Sequence, residues 1–358
     1  MAFLTGIILI DAPASALNNA GANELARTEN AVATKVIRTR QGAFPYVSAQ
    51  AFRYWLRTTL ERTQPAWKAA PVYREAKVAY TDGNPIRYWD DDLFGYMRAQ
   101  SKRADAAARR GADESRAGET PTSTELTRVS PFRVSPFVSI APVSLIDDFG
   151  TMSRQDGDPV PHEHQFYRAT LKGMISLDLH AAGLFSYRNR TGYRNLDDNR
   201  LQEARDRGLE PVESEQSFRL PLAERIERVQ TLLKGLAMLM GGAKLALHYT
   251  DVTPVVFLAL VLRGGNNPLQ YIIQADAQGL PSVHTDAVEE VFRVWGDQIL
   301  SPLYVGWTQG FHDAQRTRLL ETLERLQPSL GFRTGHPREV MSTIAQDFRS
   351  EANAAWLA

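Results

Sequence analysis

"FYRATLKGMISLDL", Phe166 to Leu179, alternates with a period of two. Tyr167, Ala169, Leu171, Gly173, Ile175, Leu177 and Leu179 fall on one side, and Phe166, Arg168, Thr170, Lys172, Met174, Ser176 and Asp178 on the other. Successive strand side chains point to opposite faces, so this stretch predicts a long strand with one apolar face and one polar, partly basic face. A sheet with helices packed on one side and the other side open accounts for that pattern.

Working outward, Phe3 to Ile10 is short and apolar on both faces, as a central strand is. The segment "FLTGIILIDAPA" carries no basic flank, so it is expected to be a first strand and not a secretion signal. Lys35 to Arg40 reads as a short strand, "GAFPY" as a turn, and Ser48 as the cap of a helix over about Ala49 to Arg62. Phe52, Trp55, Leu56, Thr59 and Leu60 recur at helical spacing and mark its buried stripe, while Gln50, Arg53 and Arg57 share a different face. Prolines punctuate Ser130 to Asp147, which predicts an irregular or edge strand.

In the second half, Pro221 opens a helix whose stripe is Leu222, Ile226, Val229, Leu233, Leu236 and Met240, ended by Gly241-Gly242. Strands are expected at 244–249 and 255–263, a helix from about Asp286 with Glu289 completing a capping box, and a last helix after Pro337. With its insertions removed the order is βαββαβ, the α+β arrangement of ferredoxin-like and RNA-recognition-motif folds. The core then takes residues 1–64, 131–146, 166–180 and 221–265. Segments 65–130, 147–165 and 181–220 are insertions, and 266–358 is a C-terminal helical extension. Residues 98–128 contain no aromatic side chain and are read as a mobile or partly helical excursion.

The totals exclude several functions. Across 358 residues, 41 Lys and Arg balance 41 Asp and Glu, which argues against gripping nucleic acid by bulk charge. There is no cysteine, hence no disulfide, thiolate zinc site or cysteine nucleophile, which fits a reducing cytoplasm. No apolar run approaches the ~18 residues of a membrane span. Within this neutral chain, Lys35, Arg38, Arg40, Arg53 and Arg57 gather around one helix start with no acid between them. They could form a phosphate clamp beside free helix N–H groups, or an ordinary solvated face with scattered salt bridges. Composition alone does not separate the two.

Catalytic patterns are sparse. His162 and His164 sit two apart beside a proline, without the i, i+4 spacing of a helical zinc site, and no metal is expected there. Asp90-Asp91-Asp92 reads as a solvated turn or cap, and "RGGNNP" (Arg263 to Pro268) as a turn. Asp11, near the end of the first strand, is the one acid that a nuclease reading would use. No catalytic residue and no cofactor are assigned.

"LTGIILIDAPASALNNAG", "KVIRTRQGAFPYVSAQAFRYWLR", "HEHQFYRATLKGMISLDL" and "GGAKLALHYTDVTPVVFLALVLRGGNNP" together resemble the DevR family. These are the CRISPR-associated backbone subunits of type I Cascade complexes, with most likeness to the type I-B branch. The resemblance implies a non-enzymatic, cytoplasmic protein that polymerises head to tail along a CRISPR guide RNA and presents it for pairing with target DNA. It implies a recognition-motif palm, fingers within 65–130 and a thumb at 147–165. Carried over, the RNA contacts are Lys35, Arg38, Arg40, Gln41, Ser48, Gln50, Arg53 and Arg57. Asn18 and Asn19 would lie near the guide, and Arg168 and Lys172 on the polar strand face. Phe149 and Met152 would wedge against unstacked bases and Arg154 would reach a phosphate. Acidic patches such as Asp276, Asp286, Glu289, Glu290 and Asp297 would meet a neighbouring copy. The competing readings are a metal-dependent, guide-associated ribonuclease using Asp11 and a DNA-binding regulator on the same fold.

Overall fold

The computed structural model describes residues 1–22, 30–75, 77–99, 116–350, 353 and 355–357. Strand β1 (Ala2–Ser15) is buried along most of its length. The short strands that follow include β2 (Ala31–Thr34), which pairs with a strand at Asn19–Ala22, β3 (Val36–Thr39) and β4 (Gly42–Val47), and then comes helix α1 (Ala49–Thr63). The first insertion holds α2 (Trp89–Phe94). The proline-punctuated segment supplies β5 (Phe132–Val134) and β6 (Phe137–Ser139). β7 (Ile146–Met152) and the long β8 (Val160–Asp178) form a hairpin. Next come α3 (Asp198–Asp206), α4 (Leu222–Leu236) and β9 (Val256–Arg263). The C-terminal part carries α5 (Thr285–Trp295), β10 (Leu303–Trp307), α6 (Asp313–Leu326), β11 (Phe332–Gly335) and α7 (Pro337–Asp347).

The path through the main sheet is β11-β10-β9-β1-β8-β6-β4-β3, and β2, β5 and β7 also pair with β8. Its pairs are mostly antiparallel, but β10–β11 and β8–β2 are parallel, so the sheet is mixed. Seven α-helices among the described residues complete the expected α+β class. The four strands of the βαββαβ reading stand side by side as β9-β1-β8-β6, with antiparallel neighbours throughout. β1 runs in register with β8 from Phe3↔Asp178 to Ala12↔Ala169, then slips before Ser15↔Tyr167.

Sheet alternation sorts the core into two clusters. Leu4, Ile8 and Ile10 of β1, Leu171, Ile175 and Leu177 of β8 and Phe257, Ala259 and Val261 of β9 share one face. Helices α1, α4 and α7 cover it with Phe52, Trp55 and Leu56, Val229, Leu233 and Leu236, and Val340 and Ile344. Each fully buried side chain of this size contributes roughly 1.5–3 kcal/mol. α1 and α4 approach so closely that a Cβ on Gly235 would stand 2.3 Å from Leu60. Ile7, Leu9, Leu258 and Leu260 point the other way, onto Leu269, Ile273, Val288, Val291, Leu319 and Leu323 of the C-terminal part. The expectation of an open second face is therefore corrected: the C-terminal extension covers it around β1 and β9.

Local expectations fared unevenly. Ser48 does cap α1, accepting from Ala51 N at 3.3 Å. α4 stops at Leu236, and its expected stripe members Leu222 and Met240 are exposed. Residues 244–249 are not a strand: Leu247 N and His248 N both bond to Lys244 O, and Lys244 has φ 52°. The expected capping box of the Asp286 helix is absent; α5 has no side-chain cap, while His336 and Glu339 make such a box on α7. Of the excursion expected over 98–128, residues 100–115 lie outside the described residues. In the remainder, Arg98, Thr120, Leu126 and Arg128 are buried. Arg98 pairs with Glu119, and Thr120 N and Oγ1 donate to Asp82 at 2.7 and 2.6 Å.

Candidate nucleic-acid interface

The cations of 35–57 divide into two groups. β3 and β4 form an edge hairpin whose turn is Arg40-Gln41, and Arg38, Arg40 and Gln41 are exposed there, with Lys35 half-buried at its base. β3 ends the sheet path, so this basic edge faces solvent. Asn18 ties it to α1: its carbonyl accepts from Lys35 N at 2.8 Å and its side chain accepts from Ser48 N at 3.1 Å. That explains Asn18 as a scaffold residue, while Asn19 and Gln50 are exposed nearby.

Arg53 and Arg57 turn toward the insertion instead. Arg53 donates to Ser130 Oγ at 3.1 Å, to Phe132 O at 3.0 Å and to Phe94 O. Both guanidiniums lie over the Phe94 ring, at 5.1 and 4.5 Å from its centre. Desolvation, and then the Arg57 charge, lower the Arg53 pKa to about 10. Burial lowers Arg57 too, against the pull of Asp90 and Asp91. The five cations therefore do not form one surface: Arg53 spends donors on buried carbonyls, which are then not free for phosphate, and Arg57 lies against the Phe94 ring. The missed signal was Phe94, whose ring lies under both arginines and whose carbonyl accepts from Arg53.

The polar face of β8 is also partly occupied. Lys172 Nζ donates to Gln270 O and Ile273 O, each at 2.9 Å, and burial lowers its pKa. It pins the C-terminal part to the sheet instead of facing a groove. Arg168 remains exposed and pairs with Asp11 at 2.7 Å. Asp11 lies within β1, opposite Thr170, so the nuclease candidate sits on a paired strand.

Beyond Phe166 the β7/β8 hairpin leaves the core. Phe149 and Met152 are 59% and 60% exposed, and Arg154 at its tip is exposed. Three residues apart on one strand, Phe149 and Met152 project to opposite sides and cannot form one wedge. β2 pairs with the hairpin base at Glu163↔Ala31 and His164↔Val32, and it leads directly into β3. The basic edge and the protruding hairpin are thus neighbours through one short strand.

At that base three side chains converge that the sequence kept apart. Asp148 and His164 are cross-strand partners, and Asp148 Oδ2 lies 3.4 Å from His164 Nε2. His248 Nε2 stands 2.6 Å from the same His164 nitrogen, and its Nδ1 lies 3.1 Å from Ala14 O. The His162 ring stacks parallel to His164 at 6.3 Å, and Phe166 stacks on His248 at 4.9 Å. Desolvation lowers the His164 pKa, helped by Lys244 and His248 and opposed by Asp148. The acids placed for a neighbouring copy lie in the C-terminal part. Asp286, Glu290 and Asp297 are exposed, Glu289 pairs with Arg325, and Asp276 accepts Gln278 N and Leu280 N within its own turn.

The fold and this edge define a sheet-based protein with a basic rim and a protruding hairpin. No family model and no curated protein matches the chain in sequence. Solved structures do match in fold. A chain of a CRISPR RNA-guided surveillance complex superposes with a TM-score of 0.51 at 12% identity, covering 96% of this chain and 99% of its own. A chain of such a complex in a pre-nicking state gives 0.51 and 12%, covering 97% and 100%. This chain has the fold of CRISPR surveillance-complex chains over nearly its whole length. Among the described residues no helix is long and apolar enough to cross a membrane.

Proposed function

We propose that this protein is a backbone subunit of a type I Cascade complex, of I-B type, that binds CRISPR guide RNA as a head-to-tail filament. The observation that carries this reading is the continuity from the exposed Arg38-Arg40-Gln41 edge through β2 to the β7/β8 hairpin, in a chain that shares its fold end to end with surveillance-complex chains. In this reading the β9-β1-β8-β6 sheet with α1 and α4 is a recognition-motif palm, the α2 region lies in the fingers, and the hairpin is the thumb. Arg38, Arg40 and Arg154 take guide phosphates, and the exposed Phe149 and Met152 meet bases on opposite sides of the thumb. The protein performs no catalysis; it works in the cytoplasm, and its bound guide pairs with target DNA.

The test is purification from cells that express the guide and the partner subunits. Discrete-length RNA should co-purify with the wild type, and the Arg38→Ala/Arg40→Ala pair should bind guide more weakly. Each lost phosphate contact should flatten the log–log salt dependence by about 0.7. A chain that remains monomeric and RNA-free when guide and partners are supplied would overturn the reading. So would preferential binding of a duplex DNA sequence in the absence of RNA.

A further inference from the structure

We propose that Asp148, His164 and His248 form a binding site for a divalent transition-metal ion, zinc first among them, which pins the β7/β8 hairpin to the 244–249 segment. Three donor atoms, one from each side chain, lie within 4.8 Å of one another. Two imidazole nitrogens and one carboxylate are a borderline donor set that suits zinc and its neighbours and leaves a fourth position for water. Tetrahedral zinc with bonds near 2.0–2.1 Å needs donors about 3.3 Å apart. The 3.4 Å separation of Asp148 Oδ2 and His164 Nε2 meets that already, and the 2.6 Å pair of imidazoles needs to open by a fraction of an ångström.

The surroundings of His248 are arranged as a metal ligand requires, while His164 Nδ1 is buried without a hydrogen-bond partner among the described residues. His248 Nδ1–H donates to the Ala14 carbonyl, which fixes the ring and turns the Nε2 lone pair toward His164 Nε2. Phe166 stacks on the same ring and holds it over the hairpin. Asp148 supplies the negative charge that offsets Lys244 and the incoming cation. The ligands come from β7, β8 and the turns after α4, so one ion would tie a hairpin that leaves the core to a segment 84 residues away in sequence. All three donors belong to this chain, so the site can be tested without RNA.

The full chain, stripped with chelator and free of RNA, is titrated with Zn²⁺ by calorimetry and with Co²⁺ by visible absorption. One ion per chain is expected, with the visible bands of low-coordinate cobalt, and Zn²⁺ should bleach them. His248→Ala and Asp148→Asn, both at partly exposed side chains, should each weaken binding at least as much as loss of an outer-sphere partner does, roughly 10- to 100-fold. His162→Ala, whose ring stacks alongside, should leave it unchanged. Metal-free melting curves of the variants separate lost ligands from lost folding. In the wild type Zn²⁺ should slow hydrogen exchange at both 146–152 and 244–249. The proposal is overturned if stoichiometric binding is absent, or if it survives in both His248→Ala and Asp148→Asn.

Discussion

Arg57 holds its guanidinium 4.5 Å above the centre of the Phe94 ring, at the junction between α1 and the insertion that carries α2. Arg53 shares that ring and closes the same junction with bonds to Phe94 O, Phe132 O and Ser130 Oγ. Two cations that look like a surface track in the sequence instead join two parts of the fold.

Arg53→Ala should therefore cost stability. It leaves buried carbonyls without their charged donor, a loss of roughly 1.5–3 kcal/mol. Arg38→Ala, on the exposed edge, should stay within ~0.5 kcal/mol of wild type. Urea midpoints at constant slope measure both, and equal midpoints for the two variants would contradict the division drawn between them.

Asp92 sits at the centre of a buried ion cluster, paired with Arg128 and, at 2.7 Å, with Arg228. All three side chains are almost fully buried. Removing one partner of such a pair strands the other charge away from water. Asp92→Ala should cost about 3–5 kcal/mol, seen as a large fall in melting temperature or loss of soluble protein. A fall of under 1 kcal/mol would mean that the two arginines find water or other acceptors.

The neighbouring acids should make stability depend on pH. Burial raises Asp90 to about 6 and Asp91 to about 7, and the Asp90 charge adds to the shift of Asp91. Between the ordinary carboxylate value of 3.8 and neutrality the folded chain holds protons that the unfolded chain has released. The contribution of this pair is therefore most favourable at low pH and is lost as pH rises through about 6 to 7. Asp91→Asn keeps an acceptor for Asn84 N and should flatten that fall. Comparing urea midpoints at pH 5 and pH 8 checks it: an unchanged pH difference in the variant would rule out Asp91 as its source.

These side chains show where the sequence was readable. Helix α1 with its Ser48 cap and the period-two strand β8 follow from spacing alone, because cap geometry and alternation are local. The α+β class followed from that order. The buried "WDDD" start of α2 was read as a solvated turn or cap, since Arg128 and Arg228, the partners of Asp92, lie 36 and 136 residues away. The same distance problem hid His248 from His164, and Gln270 and Ile273 from Lys172. Residues 244–249 look like a strand by composition, yet Leu245, Leu247 and Tyr249 are exposed on a turn. Local pattern indicates an element, while burial of a charge depends on a partner that only the fold brings in.

Phe149 offers the sharpest test of the hairpin as a thumb. Its ring is 59% exposed at a cross-strand position opposite Glu163, so little core depends on it. Phe149→Ala should hold stability within ~0.5 kcal/mol. If the ring stacks on an unstacked guide base, the same change should weaken guide binding by roughly 1–3 kcal/mol, or about 5- to 150-fold. Met152→Ala, on the opposite side of β7, should act separately, and the two losses should add because the side chains share no contact. Fluorescence anisotropy with labelled guide and the assembled partner subunits reads both. Unchanged affinity in Phe149→Ala would remove the ring from the RNA interface, whereas loss in Phe149→Ala alone would assign a single face of the hairpin to the guide.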